Sequence, residues 1–256
     1  MARAPFEGVG VALVTLFDAD GGVLAKDTAE HAVRLVDRGI QAVVVAGTTG
    51  EAATLDDAER DELIGAVRAA VRAGVPVLAV TGAPSARQAA RLTARAREAG
   101  ADGFLALSPP GAADPRPYYA AVAEAAGDLP VLAYHFPAVS PPGIRVEHLP
   151  DLPVAGLKDS TGDPDRLLEE LDVFPGALYV GAASVLALAG PLGCAGAILA
   201  LANVDPEGCI AAFAGDAGAQ RGLAPAHLAT RRGGIAGLKS LLAEGSGTPE
   251  TTRTHR

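Results

Sequence analysis

The chain has 256 residues, of which 49% are hydrophobic, and its formal net charge is -9 at pH 7. This length and apolar content suffice for one large core or two smaller ones. The acidic balance, with arginines interspersed among Asp and Glu, argues against nucleic acid or anionic membrane surfaces as partners. The two cysteines, Cys194 and Cys209, have apolar neighbours, and the N-terminal residues have no apolar signal core. We therefore expect a reduced, cytoplasmic protein without a membrane segment.

Apolar runs and amphipathic segments alternate along the chain. Short, continuous apolar runs are typical of strands that are covered on both faces. They predict strands at 9–17, 40–46, 75–81, 103–107, 131–135, 153–158, 177–180 and 195–201. The segments between them predict helices. Asp27 or Thr28, Ser85 and Pro164 mark helix starts, and glycines mark several ends.

Eight strand–helix units in succession favour a closed (β/α)8 TIM barrel. We assign the barrel to residues 1–215, a C-terminal helical extension to 216–244 and a flexible polar tail to 245–256. An open, doubly wound sheet is the alternative fold. Such a sheet usually carries a glycine-rich dinucleotide-binding turn after its first strand, and Phe17-Asp-Ala-Asp-Gly-Gly does not match that turn.

Lys158 ends the sixth predicted strand. It is one of only three lysines, with Lys26 and Lys239, in a chain that has 18 arginines. Unlike arginine, lysine can lose its proton and become a nucleophile, and burial at a strand end would favour the neutral amine. An ordinary charge flanking a strand would explain Lys158 equally well by position alone, so the other strand ends must decide.

The carboxyl ends of the strands carry the chemistry in a barrel of this kind. The residues predicted there are Thr15, Thr48, Thr49, Tyr134, Lys158 and the region around Ile198. An amine can attack a ketone, a phenol can move protons, and threonine hydroxyls with backbone N–H groups can hold a carboxylate. Together they indicate Schiff-base chemistry on a 2-oxo acid. Taken singly, Thr48 and Thr49 would also serve as turn caps, and Tyr134 as a strand-end aromatic.

Four segments within residues 8–215 form a specific set of motifs. They are Gly47-Thr-Thr-Gly-Glu51, Tyr134-His-Phe-Pro137, Gly156-Leu-Lys-Asp-Ser-Thr-Gly-Asp163 and Gly193-Cys-Ala-Gly-Ala-Ile-Leu-Ala-Leu-Ala-Asn203. In this order and spacing they resemble the dihydrodipicolinate synthase / N-acetylneuraminate lyase family of pyruvate-dependent class I aldolases. The first motif alone would be weak evidence, but four segments in register are strong.

The resemblance implies a role for each matching residue. Lys158 would form an imine with the keto carbon of pyruvate, and Tyr134 would relay protons. Thr48 and Thr49 would bind the pyruvate carboxylate, and the main chain of Ile198 would line the pocket beside the imine. Because the protonated imine would serve as the electron sink, the resemblance implies neither a metal nor another cofactor.

Three positions depart from the dihydrodipicolinate synthases of that family. The loop 108–117 has no tyrosine, Ala138-Val-Ser-Pro stands where an arginine is expected, and Ala182-Ala183 replaces a polar pair. All three changes affect the half of the site that would take the aldehyde. They favour an aldolase for a 2-keto-3-deoxy sugar acid or 4-hydroxy-2-oxoglutarate over a 4-hydroxy-tetrahydrodipicolinate synthase of lysine biosynthesis. A non-catalytic 2-oxo acid-binding barrel is the alternative from another class.

The resemblance has two further implications. The C-terminal extension is shorter than is usual in the family, and family members commonly associate as homodimers or homotetramers. Two residues beside the motifs are expected to be structural. His135 would be packed or hydrogen-bonded on the face of its strand opposite Tyr134, and Asp159 would be a solvated or capping carboxylate.

Overall fold

The computed structural model describes residues 4–254 and contains a closed barrel of parallel strands in chain order. The predictions for residues 1–3, at the start of the barrel domain, and for residues 255–256, at the end of the tail, lie outside this range. The strands are β1 (Gly8–Ala12), β2 (Ala42–Val45), β3 (Val77–Val80), β4 (Gly103–Leu107), β5 (Val131–His135), β6 (Gly156–Asp159), β7 (Ala177–Val180) and β8 (Gly196–Leu199). Each strand pairs with the next, and β8 pairs with β1. The predicted (β/α)8 barrel is confirmed.

Helices follow the strands around the barrel. They are α1 (Ala25–Asp37), α2 (Asp57–Ala70), α3 (Ala86–Glu98), α4 (Arg116–Ala126), α5 (Pro164–Val173), α6 (Leu186–Ala189), α7 (Pro206–Phe213), α8 (Ala217–Gly222) and α9 (Ala224–Ser246). Ser85 caps α3 and Pro164 is the first residue of α5, both as predicted. Among the helices within residues 4–254, none is long and apolar enough to cross a membrane.

The first strand is shorter than its apolar run 9–17 predicts. Parallel pairing ends at Ala12, and the chain then leaves the barrel wall. Beyond that point the Leu16 N–H donates to Thr28 Oγ1 at 3.0 Å, because a buried amide needs an acceptor when no strand supplies one. Thr28 thus supports this segment, and α1 begins at Ala25 without a side-chain cap. The predicted cap of the first helix is therefore wrong.

The interior of the barrel is closed at its amino-terminal end by two aromatic rings. Phe6, which precedes β1, and Tyr179 of β7 have ring centroids 4.7 Å apart. The Tyr179 hydroxyl is buried and donates a hydrogen bond to the Phe6 carbonyl at 2.7 Å. A buried phenol of this kind needs such a partner. Because these rings fill the amino-terminal end of the barrel, the open end is the one that holds the carboxyl ends of the strands.

Helix α9 lies over the carboxyl ends of β1 and β8. Its residues Leu238 and Leu242 are buried against Val14 and Leu16, which follow β1, and against residues that follow β8. The helix bends at Gly234, whose φ of +58° is in the left-handed region. Its last residue is Ser246. Glu250 then accepts a hydrogen bond from Ser240 of α9, and the N–H groups of Arg253 and Thr254 donate to Glu51. Residues 250–254 of the predicted flexible tail are therefore docked.

Candidate active site

Lys158 lies on β6 between two tyrosines. The sheet register places it beside Tyr134 of β5 and Tyr179 of β7. Its side chain is buried, and Nζ lies 4.3 Å from the centroid of the Tyr134 ring. Lys26 and Lys239 each form an ion pair with a glutamate. Among the described residues, by contrast, no carboxylate lies within 4.0 Å of Lys158 Nζ.

Tyr134 and Lys158 belong to one compact group at the carboxyl end of the barrel. Ser160 Oγ donates to the Tyr134 hydroxyl at 3.4 Å, and the Tyr134 ring stacks on Phe136 with centroids 5.9 Å apart. Gly181, just beyond β7, has no side chain and leaves room for those of Lys158 and Ser160. A Cβ at this position would lie 2.7 Å from Lys158 Cε and 2.0 Å from Ser160 Oγ. Sequence reasoning did not single out Ser160, although it lies inside the Lys158 motif.

The loop 47–51 follows β2 and has unusual backbone conformations at both ends. Ala46 and Glu51 have φ values of +54° and +57°, which residues with a Cβ rarely adopt. Such conformations cost on the order of 1 kcal/mol each and persist where the surroundings impose them. The Glu51 N–H donates to the Thr48 carbonyl at 3.1 Å and tightens the turn. The loop is thus held in one shape at the carboxyl end of β2.

The other predicted site residues lie at the same end of the barrel. Thr48 is exposed, and Thr49 is buried. Thr15 supports the loop, because its hydroxyl donates to the Gly50 carbonyl at 2.8 Å. Ile198 is fully buried inside the barrel, in the same cluster as Tyr134. The structure thus brings Lys158 and Tyr134 into contact. It places the threonine loop after β2 and Ile198 on β8, two strands that do not pair with β5 or β6.

Asp159 is buried on the outer face of β6, so the interpretation of a solvated carboxylate is wrong. Its Oδ2 accepts from Arg166 Nε of α5 at 2.9 Å, and its Oδ1 accepts from the Thr161 N–H at 2.7 Å. His135 lies on the same outer face and accepts from the Ile144 N–H at 2.8 Å, as expected for a packed histidine. Burial and the nearby Arg166 lower the pKa of His135 to about 4, against the opposing effect of Asp159.

Glu170 completes this group behind Lys158. Its side chain is fully buried, and Oε1 lies 2.8 Å from Arg166 Nε. Burial and the charge of Asp159 raise the pKa of Glu170 to about 9, so the carboxyl is protonated at neutral pH. The group ties β5 and β6 to α5 directly after the lysine.

A cavity of about 590 Å³ opens beside Ser160 and Gly181, between the strand ends and α9. Its barrel wall includes Gly181 and Ser160, which contact Lys158 and Tyr134. It also includes the apolar residues Phe136, Pro137, Ala138, Ala182 and Ala183, and the polar Thr161. Helix α9 contributes His227, Thr230 and Arg231. Sequence reasoning missed these three, because nothing in the helical pattern showed that α9 lies over the barrel mouth.

The chemistry of the site defines a class of protein: a (β/α)8-barrel enzyme with an unpaired lysine and a tyrosine at the carboxyl ends of its strands. Within residues 4–254, no group of three or more His, Cys, Asp or Glu side chains is arranged to hold a metal ion. Comparisons with known proteins make the assignment more specific. The model of the dihydrodipicolinate synthetase family matches residues 5–219.

Individual relatives agree with this match. The chain is 40% identical over 210 residues to a DapA-like lyase of Halobacterium salinarum, covering 78% of this chain and 68% of that protein. It is 38% identical over 230 residues to a 4-hydroxy-tetrahydrodipicolinate synthase of Thioalkalivibrio sulfidiphilus, covering 82% and 76%. A dihydrodipicolinate synthase from Acinetobacter baumannii, solved with pyruvate, superimposes with a TM-score of 0.89 at 28% identity and covers 98% of this chain and 92% of its own. The chain belongs to the dihydrodipicolinate synthetase family and is an enzyme of its lyase and synthase type.

Proposed function

We propose that this enzyme forms a Schiff base between Lys158 and pyruvate and uses it for aldol addition or cleavage. The observation that carries the proposal is the buried Lys158 amine, which has no carboxylate partner among the described residues and lies against the Tyr134 ring at 4.3 Å. A lysine amine that has no ion pair to break is free to add to a carbonyl carbon.

The proposed reaction assigns a task to each site residue. Lys158 adds to the keto carbon of pyruvate, the carbinolamine loses water, and the product is a protonated imine. Tyr134 moves the protons of these steps, and Ser160 holds its hydroxyl. The imine then loses a methyl proton to give an enamine, which attacks an aldehyde; hydrolysis releases the product and restores the amine. Thr48 and Thr49 hold the pyruvate carboxylate through hydroxyl and N–H groups, and the main chain of Ile198 lines the pocket.

The acceptor side favours an aldehyde other than that of lysine biosynthesis. The wall formed by 136–138 and 182–183 offers few polar side chains, so hydroxyl or anionic groups of the substrate must be bound elsewhere. Ser160, Thr161 and Thr230 can bind hydroxyls, and Arg231 brings a cation to the cavity. These groups suit a 2-keto-3-deoxy sugar acid or 4-hydroxy-2-oxoglutarate as the substrate that is cleaved.

Reductive trapping tests the proposed chemistry. The protein is incubated with pyruvate and borohydride, digested, and analysed by peptide mass spectrometry. We expect one reduced pyruvyl adduct, on Lys158, that is absent from Lys158→Arg and unchanged in Lys26→Arg, whose lysine is exposed on α1. An adduct distributed over the three lysines, or none, would refute the Schiff-base function and favour a 2-oxo acid-binding barrel.

A screen of aldehydes with pyruvate tests the acceptor. We expect turnover with glyoxylate or glyceraldehyde and little with aspartate semialdehyde. Arg231→Ala should raise the KM for the acceptor and leave that for pyruvate unchanged, whereas Arg232→Ala, the neighbouring arginine outside the cavity lining, should change neither. The relatives named 4-hydroxy-tetrahydrodipicolinate synthase support the second candidate, and preference for aspartate semialdehyde would establish it instead.

A further inference from the structure

The side chain of Glu51 is fully buried at the end of the loop 47–51 and is bound from the C-terminal part of the chain. Lys239 Nζ of α9 donates to Oε1 at 2.7 Å. The N–H groups of Arg253 and Thr254 donate to Oε2 at 2.8 and 2.9 Å, and the Thr254 hydroxyl donates to it as well. Burial by itself would raise the pKa of Glu51, but Lys239 and Thr254 outweigh it and hold that pKa below its usual value. The residue is therefore ionised.

Lys239 connects the loop 47–51 to Thr251 near the C-terminus and to Phe17 after β1. Its side chain is fully buried, and Nζ also donates to the Thr251 carbonyl at 2.7 Å. The ammonium lies 4.5 Å from the centroid of the Phe17 ring, and the guanidinium of Arg253 lies at the same distance from it. A buried charge pair is costly unless its remaining donors and acceptors are satisfied. Here they are satisfied by the segment 250–254, which we call the C-terminal segment.

Arg253 anchors the C-terminal segment to the barrel. Its guanidinium donates to both carboxylate oxygens of Glu59 on α2, at 2.8 and 2.6 Å, and Nε donates to the Gly21 carbonyl at 2.6 Å. A two-bond contact of this geometry fixes orientation as well as position. The C-terminal segment thus reaches Glu51 as an ordered element.

From these contacts we infer that Glu51 and Lys239 are positioning residues for the pyruvate carboxylate, with the C-terminal segment as their support. The inference rests on the proposed function. Glu51 occupies the strained end of the loop that presents Thr48 and Thr49, and its own N–H holds the Thr48 carbonyl. A group that fixes this backbone fixes the donors that would meet the carboxylate. Lys239 also neutralises a negative charge close to where that carboxylate would bind.

Three changes to the chain test the inference. Lys239→Met removes the cation at similar length, Lys239→Met with Glu51→Gln removes both charges, and deletion of 250–256 removes the C-terminal segment. Lys26→Met is the matched control on an exposed lysine. Two quantities are measured for each: hydrogen–deuterium exchange of the peptide containing 47–51, and the pyruvate concentration that gives half-maximal trapping on Lys158.

We expect Lys239→Met and the deletion to speed exchange in 47–51 and to raise the half-saturating pyruvate concentration about tenfold, with the maximal trapping rate within about threefold of wild type. The double variant should recover much of the affinity. The neutral amide that Glu51→Gln introduces can still accept from the N–H groups of the C-terminal segment, and no unpaired charge remains. Lys26→Met should match wild type.

Two results would overturn the inference. Unchanged exchange in 47–51 would show that the loop does not depend on these contacts. Faster exchange with unchanged half-saturation would show that the contacts serve stability alone. Absence of any Lys158 adduct in the wild type would instead refute the proposed function. The exchange measurement would still decide whether Lys239 and the C-terminal segment hold the loop 47–51 in place.

Discussion

At the scale of single residues, the polar groups of Lys158 and Tyr134 have fewer partners than the buried polar groups of their neighbours. Most buried polar groups around them are paired, as interiors require. His135 accepts a backbone N–H, and Asp159 binds Arg166. Among the described residues the Lys158 amine has no carboxylate within 4.0 Å, and the Tyr134 hydroxyl accepts a 3.4 Å hydrogen bond from Ser160. Buried groups with so few partners are the ones that can act on a ligand.

Tyr134→Phe should slow trapping and turnover by about 10²- to 10³-fold, because it removes the proposed proton relay and leaves the ring stacking in place. The rates of imine trapping and of aldol turnover check this expectation. Tyr118→Phe is the control, since the Tyr118 hydroxyl contacts backbone groups, at Ala83 and Leu107, away from the lysine. A Tyr134→Phe enzyme with the wild-type rate would exclude the hydroxyl from the mechanism.

Glu170 predicts a specific dependence of stability on pH. Its pKa is raised from 4.5 to about 9 by burial and by Asp159, so the folded state binds a proton that the unfolded state releases. The stabilising contribution is complete below pH 4.5 and is lost as the pH rises towards 9. The free energy of unfolding of the wild type should therefore fall between about pH 5 and 8. Glu170→Gln keeps a neutral group of the same shape and should make this fall smaller by more than about 1 kcal/mol. Denaturant unfolding at several pH values measures this, and an unchanged slope would contradict the raised pKa.

At the scale of elements, the site depends on a close approach between β6 and the end of β7. Gly181 provides the space in which Lys158 and Ser160 lie. Both neighbours of an added Cβ would be side-chain atoms rather than backbone. They can move aside without unfolding the strand, but only by leaving their positions in the site.

Gly181→Ala should therefore lower the rate of imine trapping at least about tenfold with a small change in thermal stability. Gly245→Ala on α9 is the matched control, because a Cβ there meets nothing within 4 Å and alanine favours a helix. Trapping kinetics and thermal denaturation distinguish the two effects. A large loss of stability with a normal trapping rate would show that the space serves packing instead.

At the scale of the whole molecule, the two ends of the barrel are closed by different means. The amino-terminal end is filled by Phe6 and Tyr179. The carboxyl-terminal end is covered in part by α9, which leaves the cavity beside Lys158. Stability and chemistry are therefore separated along the barrel axis, as is general for this fold.

Tyr179→Phe tests this separation. It removes the donor to the buried Phe6 carbonyl and should lower the free energy of unfolding by about 1–3 kcal/mol. Imine trapping on Lys158 should stay within about twofold of wild type, because the hydroxyl points to the opposite end of the barrel. Chemical denaturation and trapping measure the two quantities. A strong loss of trapping would show that the interior side chains couple the two ends.

Much of the architecture could be predicted because its signals are local. The bounds of β4, β5 and β7 and the start of α5 match the sequence prediction, since glycine or proline marks at least one end of each. The run 9–17 was predicted as a longer strand because burial alone does not distinguish a paired strand from a buried loop. The roles of Lys158, Tyr134, Thr48, Thr49 and Ile198, and a homodimer or homotetramer as the assembled form, stay predictions.

The amino-acid sequence by itself determined the alternation of strands and helices, the closed barrel and the lysine at a strand end, because apolar periodicity and turn residues act over a few positions. Only the tertiary structure decided what surrounds that lysine. Glu51 and Lys239 are 188 residues apart, and Arg231 reaches the cavity from α9. Contacts between distant segments depend on how complete elements pack, and no local pattern encodes them. Part of the environment of this site is therefore set by packing at the barrel mouth.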